Sequence, residues 1–211
     1  MKFSNLRWKK ISALCLVLAL MLVLLSGCGG TAQTGTPADG PVRVGQTVTV
    51  GECQIKLRGY VPMEQLTEGT FGGAMDPNRK NADIAIVGYI YNTAVESTQI
   101  ADDTLDNFFS WVLQVRNQPE EEYQKSLKEK INTIPATMRR ATVECAGEKL
   151  LCQAIGADMT LGQGMQVLQG KAIGVVLIHC NVPKGWNNLE ITYTLNGETV
   201  TFELSAIDLV A

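Results

Sequence analysis

Four of the six cysteines lie in the body of the chain, at Cys53, Cys145, Cys152 and Cys180. Thiols can bridge, ligate a metal or attack an electrophile, and spacing decides among these. No Cys-x-x-Cys occurs and His179 is the sole histidine, so zinc, which takes four N or S ligands in structural sites, finds no ligand set. Nucleophilic catalysis lacks a signature too: G-x-S-x-G, S-x-x-K and H-E-x-x-H are absent, which leaves His179 without a nucleophile to activate. Asp102, Asp103 and Asp106 form an acidic group in ADDTLDN. Calcium needs six to eight oxygens and the EF-hand spacing with its glycine is missing, so a solvated turn is expected. Trp186, in the turn PKGWNN, is the candidate ligand contact, against the alternative that it folds back on its own sheet. The chain is expected to be no enzyme, with no catalytic residue, no metal and no cofactor.

Where the thiols point follows from the strands that carry them. Val48 to Val50 and Cys53 to Arg58 flank Gly51-Glu52, a two-residue hairpin turn with glycine first. That register pairs Val50 with Cys53 and Val48 with Ile55, all on one face. In GVVLIHCNV, from Gly174 to Val182, alternation puts Val176, Ile178, Cys180 and Val182 on one side. His179 and Asn181 take the other side, expected to be wet. Cys53 and Cys180 thus both face inward, and a bridge between them is expected to staple the ends of the domain, worth about 2–4 kcal/mol. Cys145 and Cys152 bracket AGEKLL and can bridge a hairpin whose turn centres on Glu148-Lys149. A turn on Gly147-Glu148 offsets them by two. Buried free thiols are the alternative for all four.

The remaining elements complete a mainly β body. Leu189 to Leu195 alternates strictly, Asn196-Gly197 is a strong hairpin signal, and Glu198 to Leu204 alternates back. The two-residue turn sets Tyr193 opposite Val200 and Ile191 opposite Phe202 inside, with Thr192 facing Thr201 outside. It also sets Glu190 opposite Glu203, a like-charge pair that predicts strong solvation or a neighbouring base. Asp83 to Tyr91 is apolar on both faces, as a central strand is. Phe108 to Arg116 and Thr137 to Cys145 read as strands, with at least two of Phe108, Phe109 and Trp111 in the core. Pro119 to Ile131 reads as a helix: proline at the start, Glu120 to Glu122 in the first turn, lysines toward the end, and Tyr123, Leu127 and Ile131 as a narrow apolar stripe. Residues 62 to 82 are Gly-rich and irregular, which predicts a long loop. Several antiparallel strands with turns between them predict a β-sandwich.

The N-terminus supplies the address. Lys2, Arg7, Lys9 and Lys10 precede an apolar run from Ile11 to Leu25, the length of a signal-peptide core and short of the about 20 residues that span a bilayer. Leu25-Ser26-Gly27-Cys28 then matches the lipobox of bacterial lipoproteins at every position. That resemblance implies cleavage of a signal peptide over residues 1–27, acylation of Cys28, and a protein held on the bacterial cell membrane facing outside the cytoplasm. A diacyl group supplies two chains, enough for stable attachment. Residues 28 to 41 carry almost nothing to bury and read as a flexible tether; residues 42 to 211 form the domain. The leader's four charges are all basic, which leaves 14 of 18 basic residues against 21 acidic ones and a net charge of −7. Without a basic patch, nucleic acid is excluded as a partner class.

The stretch Leu168 to Tyr193 resembles a domain of unknown function on Gram-positive surface lipoproteins, a family grouped with a secreted mycobacterial immunoprotective antigen. Leu168, Gly170, Gly174, Val182, Pro183, Lys184, Leu189, Ile191 and Tyr193 match its turns and strands; Gln169 stands where proline is usual. The opening VRVGQTVTVGECQIKL and the strand ending Tyr91-Asn92-Thr93 are similar to it as well, whereas residues 94 to 163 are not. The resemblance implies an immunoglobulin-like antiparallel sandwich, here with one inserted helix at about 119–131 behind the N-terminal signal helix, and it supplies no active site. The expected function is a non-catalytic binding module whose partners are the bilayer, through Cys28, and an envelope or extracellular protein or glycan. The alternative is an accessory or inhibitory lipoprotein that engages an envelope enzyme through its helix and long loop.

Overall fold

The computed structural model describes residues 40–51, 53–66, 76, 78–92, 101–156, 165–168, 171–195 and 197–210. The leader, Cys28, nearly all of the tether and much of the 62–82 loop lie outside the described residues. Twelve strands and two long α-helices are described, in the order β1 Val42–Arg43, β2 Thr47–Val50, β3 Cys53–Pro62, β4 Asn81–Asn92, β5 Asp103–Thr104, α1 Leu105–Val115, α2 Glu120–Asn132, β6 Ala141–Cys145, β7 Glu148–Lys149, β8 Cys152–Gly156, β9 Met165–Leu168, β10 Lys171–Pro183, β11 Asn188–Leu195 and β12 Glu198–Ser205; residues 63–66, inside the expected 62–82 loop, are helical as well. A five-stranded sheet runs β1-β12-β11-β6-β7 and a seven-stranded sheet runs β2-β3-β4-β10-β8-β5, with β9 also on β10. Both are mixed, because β1 lies parallel to β12 and β5 parallel to β8. Among the described residues no helix is long and apolar enough to cross a membrane.

Both hairpins keep the register their alternation predicts. Val50 pairs with Cys53 and Val48 with Ile55; Tyr193 pairs with Val200, Ile191 with Phe202, and Glu190 with Glu203. Their inward side chains meet between the sheets: Ile55, Leu57, Ile86, Val176, Ile178 and Cys180 from the larger sheet, Val143, Ile191, Tyr193, Phe202 and Leu204 from the smaller.

The larger sheet has a second covered face, and this overturns two expectations. Phe108 to Arg116 is no strand: α1 starts behind Thr104, whose side chain accepts from Asn107 N at 3.3 Å. Phe108, Phe109, Val112 and Val115 then fall on one helical face and are buried. With Tyr123, Leu127 and Ile131 of α2, buried as predicted, they cover Val61, Ala85, Val87, Ile155 and Leu177. The face expected to be wet is the floor of a second core. The molecule therefore has three layers: small sheet, large sheet, helical pair. The strand expected from Thr137 is shorter, with a 3-10 turn over Ala136–Met138 after Pro135 and β6 starting only at Ala141.

Candidate functional site

The second core holds the richest polar constellation of the described residues. Alternation along β4 puts Asp83 on the helix-facing side with Ala85 and Val87. In β10, Asn181 lies directly opposite Asp83, and His179 lies opposite Ala85. Asp83 Oδ1 accepts three hydrogen bonds, from Tyr123 OH at 2.8 Å, Asn181 Nδ2 at 3.0 Å and His179 Nε2 at 3.0 Å. Its Oδ2 lies 3.3 Å from Arg79 Nη1. Arg79 also donates to the carbonyls of Val115 (3.1 Å), Arg116 (2.8 Å) and Gln118 (3.2 Å), at the end of α1 and in the turn that follows it. Its guanidinium stacks 3.6 Å over the Tyr123 ring, and Phe108 lies against His179 at 5.0 Å.

A second set of bonds runs outward from this centre. Asn181 Oδ1 accepts from Asn81 Nδ2 at 2.8 Å and from Gln124 Nε2. Gln124 also reaches Glu120 Oε1 at 2.8 Å, and Glu120 Oε2 accepts from Lys80 N at 2.9 Å. One carboxylate thereby ties α1, α2, β4 and β10 together. Burial pushes the Asp83 carboxyl up, but the hydrogen bond and electrostatic pull of His179, with the Asn181 amide and Tyr123 hydroxyl, outweigh it, so its pKa lies below the ordinary value. Burial, with the Asp83 charge and hydrogen bond adding, pushes the Tyr123 hydroxyl well above its own.

This group has the residue types of an acid–base site without its access. Arg79, Asp83, His179 and Asn181 are 1–8% exposed and Tyr123 is 0% exposed. In a triad the imidazole nitrogen remote from the carboxylate faces the nucleophile. Here His179 Nδ1 is buried with no hydrogen-bond partner. What the arrangement does is hold the helical layer on the sheet. Comparison with protein families, curated proteins and solved structures finds no match for this chain.

Register does not bring the expected cysteine partners opposite one another, and no disulfide joins the described cysteines in this structure. Cys53 lies opposite Asn92 of β4, while Cys180 lies opposite Ile84. Eight residues of strand separate those positions, about 27 Å at roughly 3.4 Å per residue, and a disulfide tolerates Cα atoms no more than about 7 Å apart. Cys145 pairs with Glu148 across a turn at Ala146-Gly147, whose φ values of 51° and 82° suit a two-residue hairpin loop. Cys152 instead sits beside Ala141, to whose carbonyl its Sγ donates at 3.5 Å. The turn expected at Glu148-Lys149 or Gly147-Glu148 thus lies nearer the N-terminus, at Ala146-Gly147, with Ala146 at positive φ.

The other singled-out residues are dispersed. Asp102 accepts from Arg140 N at 2.8 Å and Ala154 N at 3.0 Å, which pins the exit of the helical insertion to β8. Asp103 accepts from Thr104 N and pairs with Lys130. Neither is a free solvated turn residue; Asp106 sits in the first turn of α1. Among the described residues no group of three or more His, Cys, Asp or Glu side chains can hold a metal ion. Trp186 is half-buried, edge-on to Tyr60 at 5.1 Å, and packs on the inter-sheet core.

Arg79 and Asp83 escaped the sequence reading. Arg79 falls in the expected loop, and the carbonyls it donates to lie 36 to 39 residues away. Asp83 left a signal: a carboxylate opening a strand apolar on both faces needs a partner.

On the outward face of the small sheet, register builds a row across five strands: Arg43, Glu203, Glu190, Glu144 and Lys149 lie successively opposite one another. Arg43 is the base beside the like-charge pair. Thr201, Thr192 and Thr142 form the next row. Arg43, Glu144, Glu190, Glu203, Ser205 and Asp208 contribute to an open cleft of about 640 Å³ on this face.

Proposed function

We propose that this chain is a lipid-anchored, extracytoplasmic, non-catalytic binding module on an immunoglobulin-like sandwich. Strand order supports the fold. β3-β4-β10-β8 follows the A-B-E-D order of an immunoglobulin sheet, and β12-β11-β6-β7 follows G-F-C-C′, with α1 and α2 inserted between the strands at B and C. The resemblance of Leu168 to Tyr193 to Gram-positive lipoprotein domains points the same way. The lipobox at Cys28 supports the anchor on the outer side of the bacterial cell membrane.

The observation that carries the function is where the polar chemistry lies. The acid–base residues are enclosed beneath the helices, while the solvent-facing charged row and its cleft offer side chains to a partner. That face suits a protein or glycan with hydrogen-bond donors and positive charge opposite the three glutamates. An accessory role through α2 has less surface to use, since Tyr123, Leu127 and Ile131 are buried.

Photo-crosslinkers placed at Thr192 and at Lys128, in full-length protein on intact cells, test this reading. A discrete adduct from Thr192 and none from Lys128 is expected. Adducts from Lys128 alone would favour the helix, and turnover of a small substrate by the purified protein would overturn the non-catalytic reading.

A further inference from the structure

We propose that Cys152 and Cys180 are a cross-strand disulfide pair joining β8 to β10. The two are register partners in antiparallel strands. Asn181 N donates to Leu151 O at 3.0 Å, one residue beyond the pair on each strand, so Cys152 and Cys180 occupy a non-hydrogen-bonded position. At such positions Cα atoms lie about 4.5 Å apart, within the about 4.4–6.8 Å that a disulfide spans. Both side chains point into the same inter-sheet core, Cys180 0% and Cys152 8% exposed. Cys53 is about 27 Å along the sheet by its register; Cys145, on the other sheet, packs against the same core, but only Cys152 is the register partner of Cys180.

The bond needs a disulfide donor, and for that alone the proposal rests on the extracytoplasmic reading. The Cys152 thiolate attacks one sulfur of the donor and releases its other sulfur as a thiol. The Cys180 thiolate then attacks the Cys152 sulfur and releases the second thiol. Two electrons pass from the protein to the donor, and the two cysteine protons end on the released thiolates. Burial pushes the Cys152 thiol up to about 11, with the Asp102 charge adding to it, and holds Cys180 well above its ordinary value. Exchange is therefore slow in the folded chain and belongs to folding.

The test uses the reduced full chain, both folded and refolded from urea, in buffers of oxidised and reduced glutathione. The products are then alkylated and mapped as peptides. The expected product is two hydrogens lighter, links Cys152 to Cys180, forms faster during refolding, and leaves Cys53 and Cys145 alkylated. A Cys53→Ser/Cys145→Ser variant gives the same link, and Cys152→Ser gives none. Alkylated Cys152 and Cys180 in both arms, or either one linked to Cys53 or Cys145, would overturn the pairing. The donor is supplied in the tube, so failure here leaves the anchored-module reading untouched, and failure of that reading leaves this result standing.

Discussion

Asn181 and Asp83 face each other across β10 and β4, and the Asn181 amide donates to Asp83 Oδ1 at 3.0 Å. That oxygen also takes the Tyr123 hydroxyl and His179 Nε2, while Arg79 approaches the other carboxylate oxygen. A carboxylate with four donors is stable beneath two helices; stripped of them it would cost several kcal/mol to bury. The helical layer and the sheet are joined through this one side chain.

Asp83→Ala leaves the Arg79 guanidinium buried without its counter-charge. The expected loss is about 3–5 kcal/mol, read as a lower urea midpoint. Tyr123→Phe removes one hydrogen bond to the charged group and is expected to cost about 1.5–3 kcal/mol. An Asp83→Ala protein with unchanged stability would show that the network contributes nothing.

Acid should act through the same carboxyl. Its folded pKa is lowered, so its stabilisation is complete above the ordinary carboxyl value of about 3.9 and is lost as pH falls through the lower folded value. Stability followed by circular dichroism from pH 6 down to pH 2 should therefore drop below about pH 4. Asp83→Asn should flatten that limb; an unchanged limb would assign it to other carboxyls.

Gly59 marks the irregularity in β3, with φ at 150°. A Cβ there would lie 2.3 Å from Asp208 O and 2.9 Å from Val210 Cγ2. Those residues bond Tyr60: its N–H donates to Asp208 O at 3.1 Å and its carbonyl accepts from Val210 N at 2.9 Å. Gly59→Ala should detach the C-terminal segment and cost about 1–3 kcal/mol. Hydrogen exchange should show lost protection confined to the Tyr60 and Val210 amides; full protection there would contradict the steric argument.

Glu190 stands between Glu144 and Glu203, while Glu203 has Arg43 on its far side. Glu190→Thr should therefore stabilise the fold by a few tenths of a kcal/mol at low salt, with the gain shrinking as salt screens the row. Thermal melts at two ionic strengths read this directly. A destabilised variant would mean that Glu190 has a bonding partner on the sheet.

Two of the sequence's signals were strong enough to settle local structure. Alternation and turn residues set both hairpins, including the Glu190–Glu203 pairing, because a one-residue slip would turn every buried side chain outward. The stripe Tyr123, Leu127, Ile131 and its terminal charges set α2. Phe108 to Val115 was ambiguous: its apolar residues satisfy alternation and a helical stripe alike, and only the sheet beneath it decides. For the same reason alternation alone leaves the His179–Asn181 face open to solvent, and only the packing of two helices closes it. Cysteine pairing was not legible either, since alternation gives the face a thiol points to and says nothing of its distance along the strand. Arg79 and Asp83 carry the same lesson: the carbonyls that hold Arg79 lie 36 to 39 residues away. Sequence periodicity reports the environment of one element at a time, and a site shared by four elements exists only once they pack.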